Sequence, residues 1–496
     1  MYRRQLLLGS TSVLAAATAT RGVMAAPRAR VRGANQDVRV AVVGFRDHGR
    51  VHIRAYKAMK GVRLVALCDV DQQILDKQVA ELDKEGIKVQ GFRDIRAVLD
   101  SKEIDVVSLA TPNHWHALGT VWACQAGKDV CVEKPISHCI WEGRKMVEAA
   151  RKYRRMVQAD LDSRAGTRLD EVSQYLRSGQ LGKIVYVRSW NYIRRTSIGR
   201  LAGPQKIPAD VDYDLWTGPA PMRPLLRTRL HYDWHWQWAT GNGEIANNGS
   251  HQLDQVRWIL GASELPRTVV SFGGRYGYMD DGQTPNTQTA IYDFGGIPVI
   301  YEARGLTEKR GSETMDGFVG KTADGKPVVR KHEGGPRNSG QAVFCQGGYY
   351  LDGTAYDNNG KEIRRFEEGD RRGIREHFID SVRSRKISDL RIDVLEGHRS
   401  VTVCHMGNVS FQSGEPLSFA AARQALDGNP HAAAALERMA QHLTANGVDA
   451  TKDTINVGPT LTFDAKQEKF TGSHAEVANL FLKDTYREPF VIRERV

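Results

Sequence analysis

The stretch from Val38 to Gly49 constrains the fold of this chain more than any other part of the sequence. An apolar run ends at Gly44, Gly49 begins a predicted helix, and a second apolar run ends at Asp69. This order of strand, glycine turn, helix, strand and acid is typical of a Rossmann domain, in which a helix N-terminus faces a dinucleotide pyrophosphate. The carboxylate of Asp69 would then accept hydrogen bonds from the adenosine ribose. The sequence therefore predicts a nucleotide-dependent redox protein.

The glycine motif differs from the full G-x-G-x-x-G pattern because Arg46 stands where the middle glycine is expected. That glycine normally lets the backbone approach the pyrophosphate closely, so Arg46 must point away or contact a phosphate itself. A turn without a nucleotide is the alternative, and the spacing of Asp69 argues against it. No Lys or Arg follows Asp69 directly and Asp71 adds negative charge, which favours NAD over NADP.

The N-terminal residues predict export. Arg3 and Arg4 precede an apolar, Ala-rich run, and small residues surround Ala25 and Ala26. This order is typical of a bacterial signal peptide, and the Arg-Arg pair resembles a twin-arginine (Tat) leader, whose pathway carries folded proteins. The apolar run is shorter than the roughly 20 residues that span a bilayer. We therefore expect a periplasmic or other extracytoplasmic protein without a permanent membrane span.

Composition argues against two other classes of function. The formal net charge of the 496 residues is +12, but the Lys and Arg residues are dispersed, so we expect no nucleic-acid partner. The six cysteines show no CxxC pair or metal-ligand spacing, and no metal site is predicted.

The pattern of elements predicts an α/β protein with two domains. Strands and helices alternate to about residue 160, which indicates a Rossmann NAD(P)-binding domain with a doubly wound parallel sheet. Strand-like segments with turn residues follow, including an Asn-Gly hairpin in residues 356–366, and indicate an α/β domain with a large, mostly antiparallel sheet. The predicted segments are a leader (1–26), a linker (27–37), the Rossmann domain (38–160), the second domain (161–412) and a C-terminal extension (413–496) with an amphipathic helix and a strand.

Three further motifs follow the glycine turn in a fixed order. They are Thr111-Pro112-Asn113-His114, Glu133-Lys134-Pro135, and a helix that carries Asn247 and His251 four residues apart. This ordered set resembles the Gfo/Idh/MocA family of sugar and polyol oxidoreductases over nearly all of residues 38–412. The resemblance implies a carbohydrate substrate and a homo-oligomer that associates through the large sheet. It also implies that Lys134 and His251 lie beside the nicotinamide.

The motifs supply a set of predicted cofactor-binding residues. These are Gly44, Phe45, Arg46, Gly49, Asp69, Thr111, Pro112, Asn113, His116, Glu133 and Lys134.

The predicted catalytic residues are Lys134 and His251. Oxidation of a secondary alcohol sends a hydride to the cofactor, and a base must take the hydroxyl proton within about 2.6–3.2 Å. A partly desolvated Lys134 should have a lowered pKa, and His251 needs only a small shift to act as a base. We expect His251 to be the main base and Lys134 to orient the hydroxyl, with the reverse assignment almost equally favoured.

Three side chains are predicted to bind substrate: His235, Asn247 and Asp254. Asn247 stands where many members of the family carry Asp, and an amide cannot exchange protons near neutral pH. Asp254 follows His251 by one turn and could orient it. His235 belongs to residues 231–238, where a strand would separate an aromatic face from a polar one. The polar face could contact a sugar, whereas we expect most of the tryptophans to lie in the core or at an interface.

Three functions fit this sequence. The first is an exported oxidoreductase that acts on a hydroxyl or carbonyl group of a sugar, glycoside or cyclic polyol and recycles a tightly bound cofactor. The second is a redox-neutral, NAD-dependent enzyme that cleaves glycosides. The third, which Arg46 and Asn247 would support, is a non-catalytic sugar-binding protein that retains the cofactor.

Overall fold

The structure, a computed structural model, describes residues 37–330, 337–369 and 372–496. Its first domain is built on six strands: β1 (Val38–Val43), β2 (Val62–Cys68), β3 (Gln90–Phe92), β4 (Val106–Leu109), β5 (Asp129–Glu133) and β6 (Val157–Asp160). They form a parallel sheet in the order β3-β2-β1-β4-β5-β6, which confirms the predicted Rossmann arrangement. Successive residues of β1 enter the apolar cores on opposite faces, which explains why the whole strand is apolar.

Helices connect these strands: α1 (Gly49–Ala58), α2 (Gln72–Lys84), α3 (Ile95–Asp100), α4 (Asn113–Gln125) and α5 (Ile140–Lys152). The side chains of Asp71 and Asp94 accept hydrogen bonds from the first turns of α2 and α3. In contrast, α1 and α4 have no side-chain cap and no acidic residue in the first turn. No side chain therefore competes with a bound pyrophosphate at the start of either helix.

The chain then forms the second domain. Its first elements are α6 (Arg168–Arg177), β7 (Ile184–Ile193), α7 (Tyr213–Thr217), α8 (Gly243–Asn247), α9 (Gly249–Leu260), β8 (Thr268–Gly274), β9 (Thr287–Phe294), β10 (Ile297–Arg304), β11 (Phe318–Lys321) and β12 (Pro327–Val329). The next are β13 (Arg337–Cys345), β14 (Gly348–Leu351), β15 (Thr354–Asp357), β16 (Glu362–Arg365), α10 (Ile374–Ser384) and α11 (Val394–Gln412). Of these, α10 packs on the first domain, where Phe378 and Ile379 are part of a core. The last are β17 (Glu415–Ser418), α12 (Phe419–Leu426), α13 (Pro430–Ala445), β18 (Thr454–Val457), β19 (Leu461–Asp464), β20 (Lys469–Thr471) and α14 (Ala475–Asn479).

Twelve of these strands form one large sheet in the order β16-β15-β14-β13-β7-β10-β9-β8-β18-β17, with β19 beside β8 and β20 beside β19. Within the described ranges its strand pairs are antiparallel, except that β7 and β10 are parallel. The predicted large, mostly antiparallel sheet is thereby confirmed. Helix α11 links the two domains, since Val401 lies in a core of the first domain and Met406 in the core of the second.

The C-terminal extension completes the second domain. It adds strands β17 to β20 to the sheet, and α12 and α13 cover the outer face of β8, β9 and β10. Leu436, Met439 and Leu443 on α13 are buried against this face, as their helical spacing predicts. The homo-oligomer expected from the family resemblance remains a prediction, and this part of the sheet is already covered by the chain itself.

Other predicted elements also form, including the hairpin of β15 and β16 and the helix α10. The described part of the chain contains no helix that is both long and apolar enough to cross a membrane. The predicted leader (1–26) and nearly all of the predicted linker (27–37) lie outside the described residues.

Candidate functional site

A cleft of about 560 Å³ lies between the carboxyl ends of β1, β2, β4 and β5 and the second domain. Its volume is within the range of sites for cofactors and small substrates. Thirteen of the predicted site residues line it: Gly44, Phe45, Arg46, Asp69, Thr111, Pro112, Asn113, His116, Glu133, Lys134, His235, Asn247 and His251. The fold thus brings together the glycine turn and the three later motifs, which are far apart in sequence.

The connection between β7 and α8 (residues 194–242) crosses one side of the cleft. Its backbone joins the loop after β2, where the N–H of Asp212 donates to Val70 O (3.0 Å) and the N–H of Gln72 donates to Asp210 O (2.9 Å). His231 Nε2 lies 3.1 Å from a carboxylate oxygen of Asp71. This connection therefore closes the side of the cleft beside the predicted adenosine site.

The glycine turn is packed as a dinucleotide turn requires. Gly44 has φ +76°, and a Cβ at this position would lie 2.9 Å from Thr111 N. A Cβ at Gly49 would lie 2.0 Å from Gly44 O, so only glycine permits this close contact of helix and turn. Arg46 is exposed and does not fill the turn. The missing middle glycine therefore leaves the turn itself intact.

Asp69 and Thr111 also fit a bound nucleotide. The carboxylate of Asp69 accepts hydrogen bonds from the N–H groups of Phe45 and Asp71 (both 3.1 Å), which holds it at the edge of the cleft. Burial raises the pKa of Asp69 to about 6. Thr111 Oγ1 is buried without a hydrogen-bond partner among the described residues, so a ligand can satisfy it.

Glu133 lines the cleft, but its carboxylate is directed into a buried polar network. Oε1 lies 2.9 Å from His52 Nε2 and 3.0 Å from His48 Nε2, and Arg375 lies 3.4 Å from the same oxygen. Burial opposes ionisation of Glu133, but the two histidines hold its pKa well below the ordinary value. The side chain thus supports the loop that carries Lys134, and the predicted contact of Glu133 with the cofactor stays a prediction.

The His116 side chain contacts the backbone on two sides. Its two ring nitrogens each lie 2.7 Å from a carbonyl oxygen, one of Thr111 and one of Pro135. The ring thus ties the end of β4 to the loop after β5. His116 thus supports the wall of the cleft, and its predicted contact with the cofactor stays a prediction.

Lys134 and His251 face the same part of the cleft. Lys134 Nζ donates a hydrogen bond to Asn247 O (2.7 Å), and burial lowers the pKa of its ammonium group. Burial and the charge of Lys134 lower the pKa of His251 to about 3, so this ring is neutral at neutral pH. Asn247 contributes its backbone carbonyl, which any residue type at that position would provide.

Residues 231–238 do not form the predicted strand. Asp233–Trp236 is a 3₁₀ helix, so the aromatic and polar side chains do not separate onto two faces. The His235 ring instead stacks on Trp234 with centroids 3.6 Å apart. Its Nδ1 donates to Tyr232 O (2.6 Å), which leaves Nε2 as the acceptor of the neutral ring. Burial lowers the pKa of His235 to about 3.

Two predicted site residues do not line the cleft: Gly49, which packs against Gly44 at the start of α1, and Asp254. Asp254 is a fully buried residue of α9. Its carboxylate pairs with Arg164 (Nε to Oδ2, 2.8 Å) and accepts a hydrogen bond from Ser400 Oγ (2.6 Å). With both oxygens occupied, it does not orient His251. The predicted substrate contact of Asp254 is wrong, because the side chain belongs to the interior of the second domain.

Two residues of the cleft were missed by the sequence analysis. Arg195 is held by Glu244 (Nε to Oε2, 2.9 Å) and contacts the hydroxyl of Tyr232 (3.2 Å). His48 lies in the glycine turn, where the hydrogen bond with Glu133 raises its pKa. The position of His48 in the turn was a usable signal, whereas Arg195 belongs to no motif.

Ligand-type atoms of His48, His52 and Glu133 lie within 4.8 Å of one another. Arg375 contacts the same carboxylate, and its positive charge disfavours a cation there. The prediction that no metal is bound stays a prediction.

Two family models match the chain. One, described as an oxidoreductase family with an NAD-binding Rossmann fold, matches residues 38–161. The other, described as the C-terminal alpha/beta domain of an oxidoreductase family, matches residues 181–305. Together they cover half of the chain and confirm an NAD-binding domain.

Known relatives are also oxidoreductases or glycoside-cleaving proteins by name. Levoglucosan dehydrogenase of Pseudarthrobacter phenanthrenivorans is 25% identical over 241 residues, which are 48% of this chain and 54% of the relative. A glycosyl hydrolase family 109 protein of Shewanella sp. is 26% identical over 302 residues, 60% of this chain and 58% of that protein. The chain thus matches little more than half the length of these relatives.

Among solved structures, the WlbA dehydrogenase from Bordetella pertussis, in complex with NADH and UDP-GlcNAcA, has a TM-score of 0.54. It is 17% identical, and the match covers 75% of this chain and 95% of that chain. This likeness confirms the fold.

Proposed function

We propose that this chain, which belongs to the Gfo/Idh/MocA family of oxidoreductases, uses NAD to oxidise a hydroxyl group of a sugar, glycoside or cyclic polyol. The observation that carries this proposal is the position of Lys134. Its ammonium group reaches Asn247 O across the cleft, and the glycine turn and Asp69 line the same cleft. A substrate hydroxyl and a nicotinamide can therefore meet beside one ionisable group.

The chain's residues fit the cofactor along its length. Gly44 and the uncapped start of α1 suit the pyrophosphate, Asp69 suits the adenosine ribose, and Thr111 Oγ1 lacks a protein partner. When bound, NAD accepts the hydride that leaves the carbinol carbon. A side chain of the cleft must accept the proton of the same hydroxyl.

We assign that proton to Lys134 Nζ and give His251 the task of orienting the hydroxyl. An imidazole whose pKa is about 3 holds a proton at pH 7 at a cost of about 5 kcal/mol, which makes it a poor base. The lowered pKa of Lys134 brings its neutral amine closer to the working pH. Of the two assignments left open by the sequence, this one agrees better with the environments of the two groups.

Redox-neutral glycoside cleavage is a second candidate, favoured by one specific observation. The Nε2 lone pair of His235 is fixed as an acceptor because Nδ1 donates to Tyr232 O. The pKa of His235 is also about 3, so its ring is as poor a base as His251 and would instead accept a hydrogen bond from a sugar hydroxyl, while water would take the proton from a carbon next to a transient carbonyl. The C–H electron pair would then form a C=C bond, and the glycosidic C–O pair would leave with the aglycone. The likeness to a glycosyl hydrolase family 109 protein supports this candidate.

We further propose that the chain is exported through the twin-arginine pathway with its cofactor already bound. A cofactor that cannot exchange must be reoxidised in place by a second sugar or by the same substrate. The backbone contacts of the β7–α8 connection with Val70 and Gln72 would slow cofactor release. Replacing Arg3 and Arg4 by Lys should abolish the periplasmic fraction, whereas unchanged secretion would contradict this route.

A panel of glycosides and polyols, added to purified protein loaded with NAD, tests the proposal. A lasting increase in absorbance near 340 nm supports net oxidation, and an aglycone product without a lasting increase supports redox-neutral cleavage. Lys134→Met should slow the reaction by about 100-fold or more while the cofactor stays bound. Lys88→Met, at an exposed lysine after α2, is the matched control. Equal rates for Lys134→Met and wild type would overturn the assignment.

A further inference from the structure

The last residues of the chain (483–496, the C-terminal tail) return from the second domain to the first. Phe490, Ile492 and Val496 are buried in a core of the first domain. Lys145 on α5 donates to the carbonyl oxygen of Glu494 (2.7 Å). The tail is therefore a fixed part of the first domain, although it follows the whole second domain in sequence.

The tail begins with an ion pair to the loop that carries Lys134. A carboxylate oxygen of Asp484 lies 2.6 Å from Nδ1 of His138, which follows Lys134 by four residues and is buried. Burial opposes the charged ring, but Asp484 overcomes this effect and raises the pKa of His138 to about 9. The pair is thus charged at neutral pH.

Tyr486 makes a second link from the tail to the same residue. Its hydroxyl donates to Glu142 Oε1 (3.1 Å), and Glu142 Oε2 accepts the backbone N–H of His138 (2.7 Å). The tail therefore restrains both the side chain and the backbone of His138.

His138 is also joined to the other side of the cleft. Its Nε2 lies 3.3 Å from Gly241 O, and Asn242 Nδ2 donates to His138 O (2.9 Å). Gly241 and Asn242 come immediately before α8, and the last residue of α8 is Asn247, whose carbonyl oxygen binds Lys134 Nζ. Both partners of the hydrogen bond from Lys134 to Asn247 thus lie on segments that His138 holds together.

We infer that Asp484 is a positioning residue, which acts through His138 to hold Lys134 against Asn247 O and away from solvent. This inference rests on the proposed function, in which Lys134 takes the substrate proton. It assigns a task to the C-terminal tail, and it predicts that a tail variant changes the environment of a side chain in the cleft.

The pKa of Lys134 itself is the measurement that separates positioning from other effects. Removing the carboxylate of Asp484 would lower this pKa if the two charges simply attracted each other. Loss of positioning would expose Lys134 and raise its pKa toward the ordinary value, because burial is the main cause of the lowering. The other titratable groups around Lys134 are the same in wild type and variant: Glu133, Glu244, Arg195, Arg337, His48, His235 and His251.

The experiment is competitive acetylation of the full chain with acetic anhydride over a range of pH, read for each lysine by mass spectrometry. We expect Asp484→Asn to raise the pKa of Lys134 by about one unit. Asp484→Glu should restore most of the wild-type value. Arg493→Ala, which breaks an exposed pair with Glu488 in the same tail, is the matched control and should leave it unchanged. His138→Asn tests the same link from its other end if Asp484→Asn does not fold.

A loss of thermal stability without any change in the pKa of Lys134 would overturn the inference, since it is the result of a purely structural tail contact. A fall in the pKa would overturn it as well, in favour of direct attraction. If Lys134 of the wild type already titrates like an ordinary lysine, the proposed function fails first. The two failures are therefore distinguishable.

Discussion

Lowering the pH from 7 to 5 is expected to weaken the binding of NADH through one group, the carboxylate of Asp69. In its ionised form this carboxylate accepts hydrogen bonds from the ribose hydroxyls, and it is already held in place by the N–H groups of Phe45 and Asp71. Burial raises its pKa to about 6, so it takes up a proton as the pH falls through that value. The protonated carboxyl is a weaker acceptor and has one oxygen that must donate.

The magnitude follows from the pKa. If only the ionised form binds, the association constant falls about tenfold between pH 7 and pH 5, which is about 1.4 kcal/mol. An aspartate with an ordinary pKa near 3.9 would give a change of less than about 10% over the same interval. His48 acts in the opposite direction, because its protonation at low pH adds positive charge beside the predicted pyrophosphate site.

Titration with NADH, followed by quenching of tryptophan fluorescence after copurifying nucleotide has been removed on charcoal, measures this effect. Asp69→Asn removes the titrating carboxylate but keeps His48, so a comparison with the variant cancels the effect of His48. The ratio of wild-type to variant affinity for NADH should therefore fall about tenfold from pH 7 to pH 5. Asp76→Asn is the matched control, because Asp76 is an exposed residue of α2 that accepts from Gln72 and does not line the cleft. A ratio that stays constant from pH 7 to pH 5 would refute the reasoning.

Three further predictions concern packing and the corrected residue. Gly49→Ala should lower both NADH affinity and the melting temperature, because its Cβ would lie 2.0 Å from Gly44 O and overpacking costs about 1–3 kcal/mol. Gly203→Ala, in open space, should change neither, and an unaffected Gly49→Ala would contradict the packing argument. Asp254→Asn should lower the free energy of unfolding in urea by about 3–5 kcal/mol because it leaves the buried Arg164 unpaired, whereas Glu437→Gln at an exposed pair should cost less than about 1 kcal/mol. Equal effects of these two would disprove the burial of Asp254. Leu436→Ala should cost about 2–5 kcal/mol in the same assay by opening a cavity between α13 and the sheet, and a negligible cost would show that the helix is not packed there.

Much of the site could be predicted because its residues belong to motifs that follow the ends of strands in the alternating strand–helix pattern of the first domain. The carboxyl ends of parallel strands meet at one edge of a sheet, so the ends of β1, β2, β4 and β5 had to converge once the order of strands was known. Gly44, Asp69 and Lys134 follow three of those ends directly. Their common location needed no information about the second domain.

Predictions failed where a side chain finds its partner far along the chain. Asp254 had the helical spacing of a residue that could orient His251, but Arg164, 90 residues away, takes its carboxylate into the core. Glu133 belongs to a motif, yet the partners of its Oε1 are Arg375, 242 residues away, His48 and His52, which the motif did not indicate. The alternating aromatics of residues 231–238 met the requirement for a strand, but local backbone hydrogen bonds, from His235 N to Tyr232 O and from Gln237 N to Trp234 O, form a 3₁₀ helix instead.

The sequence by itself determined the domain class, the glycine turn and the place of Lys134 at the end of β5, since these depend on local periodicity and on glycines that no other residue can replace. Only the tertiary structure decided which polar groups face the cleft. It also decided that the extension covers the outer face of the sheet and that the C-terminal tail forms an ion pair with the loop after Lys134. The physical reason is that each buried charge requires a partner, and the partner is selected by how distant segments pack rather than by their spacing along the chain.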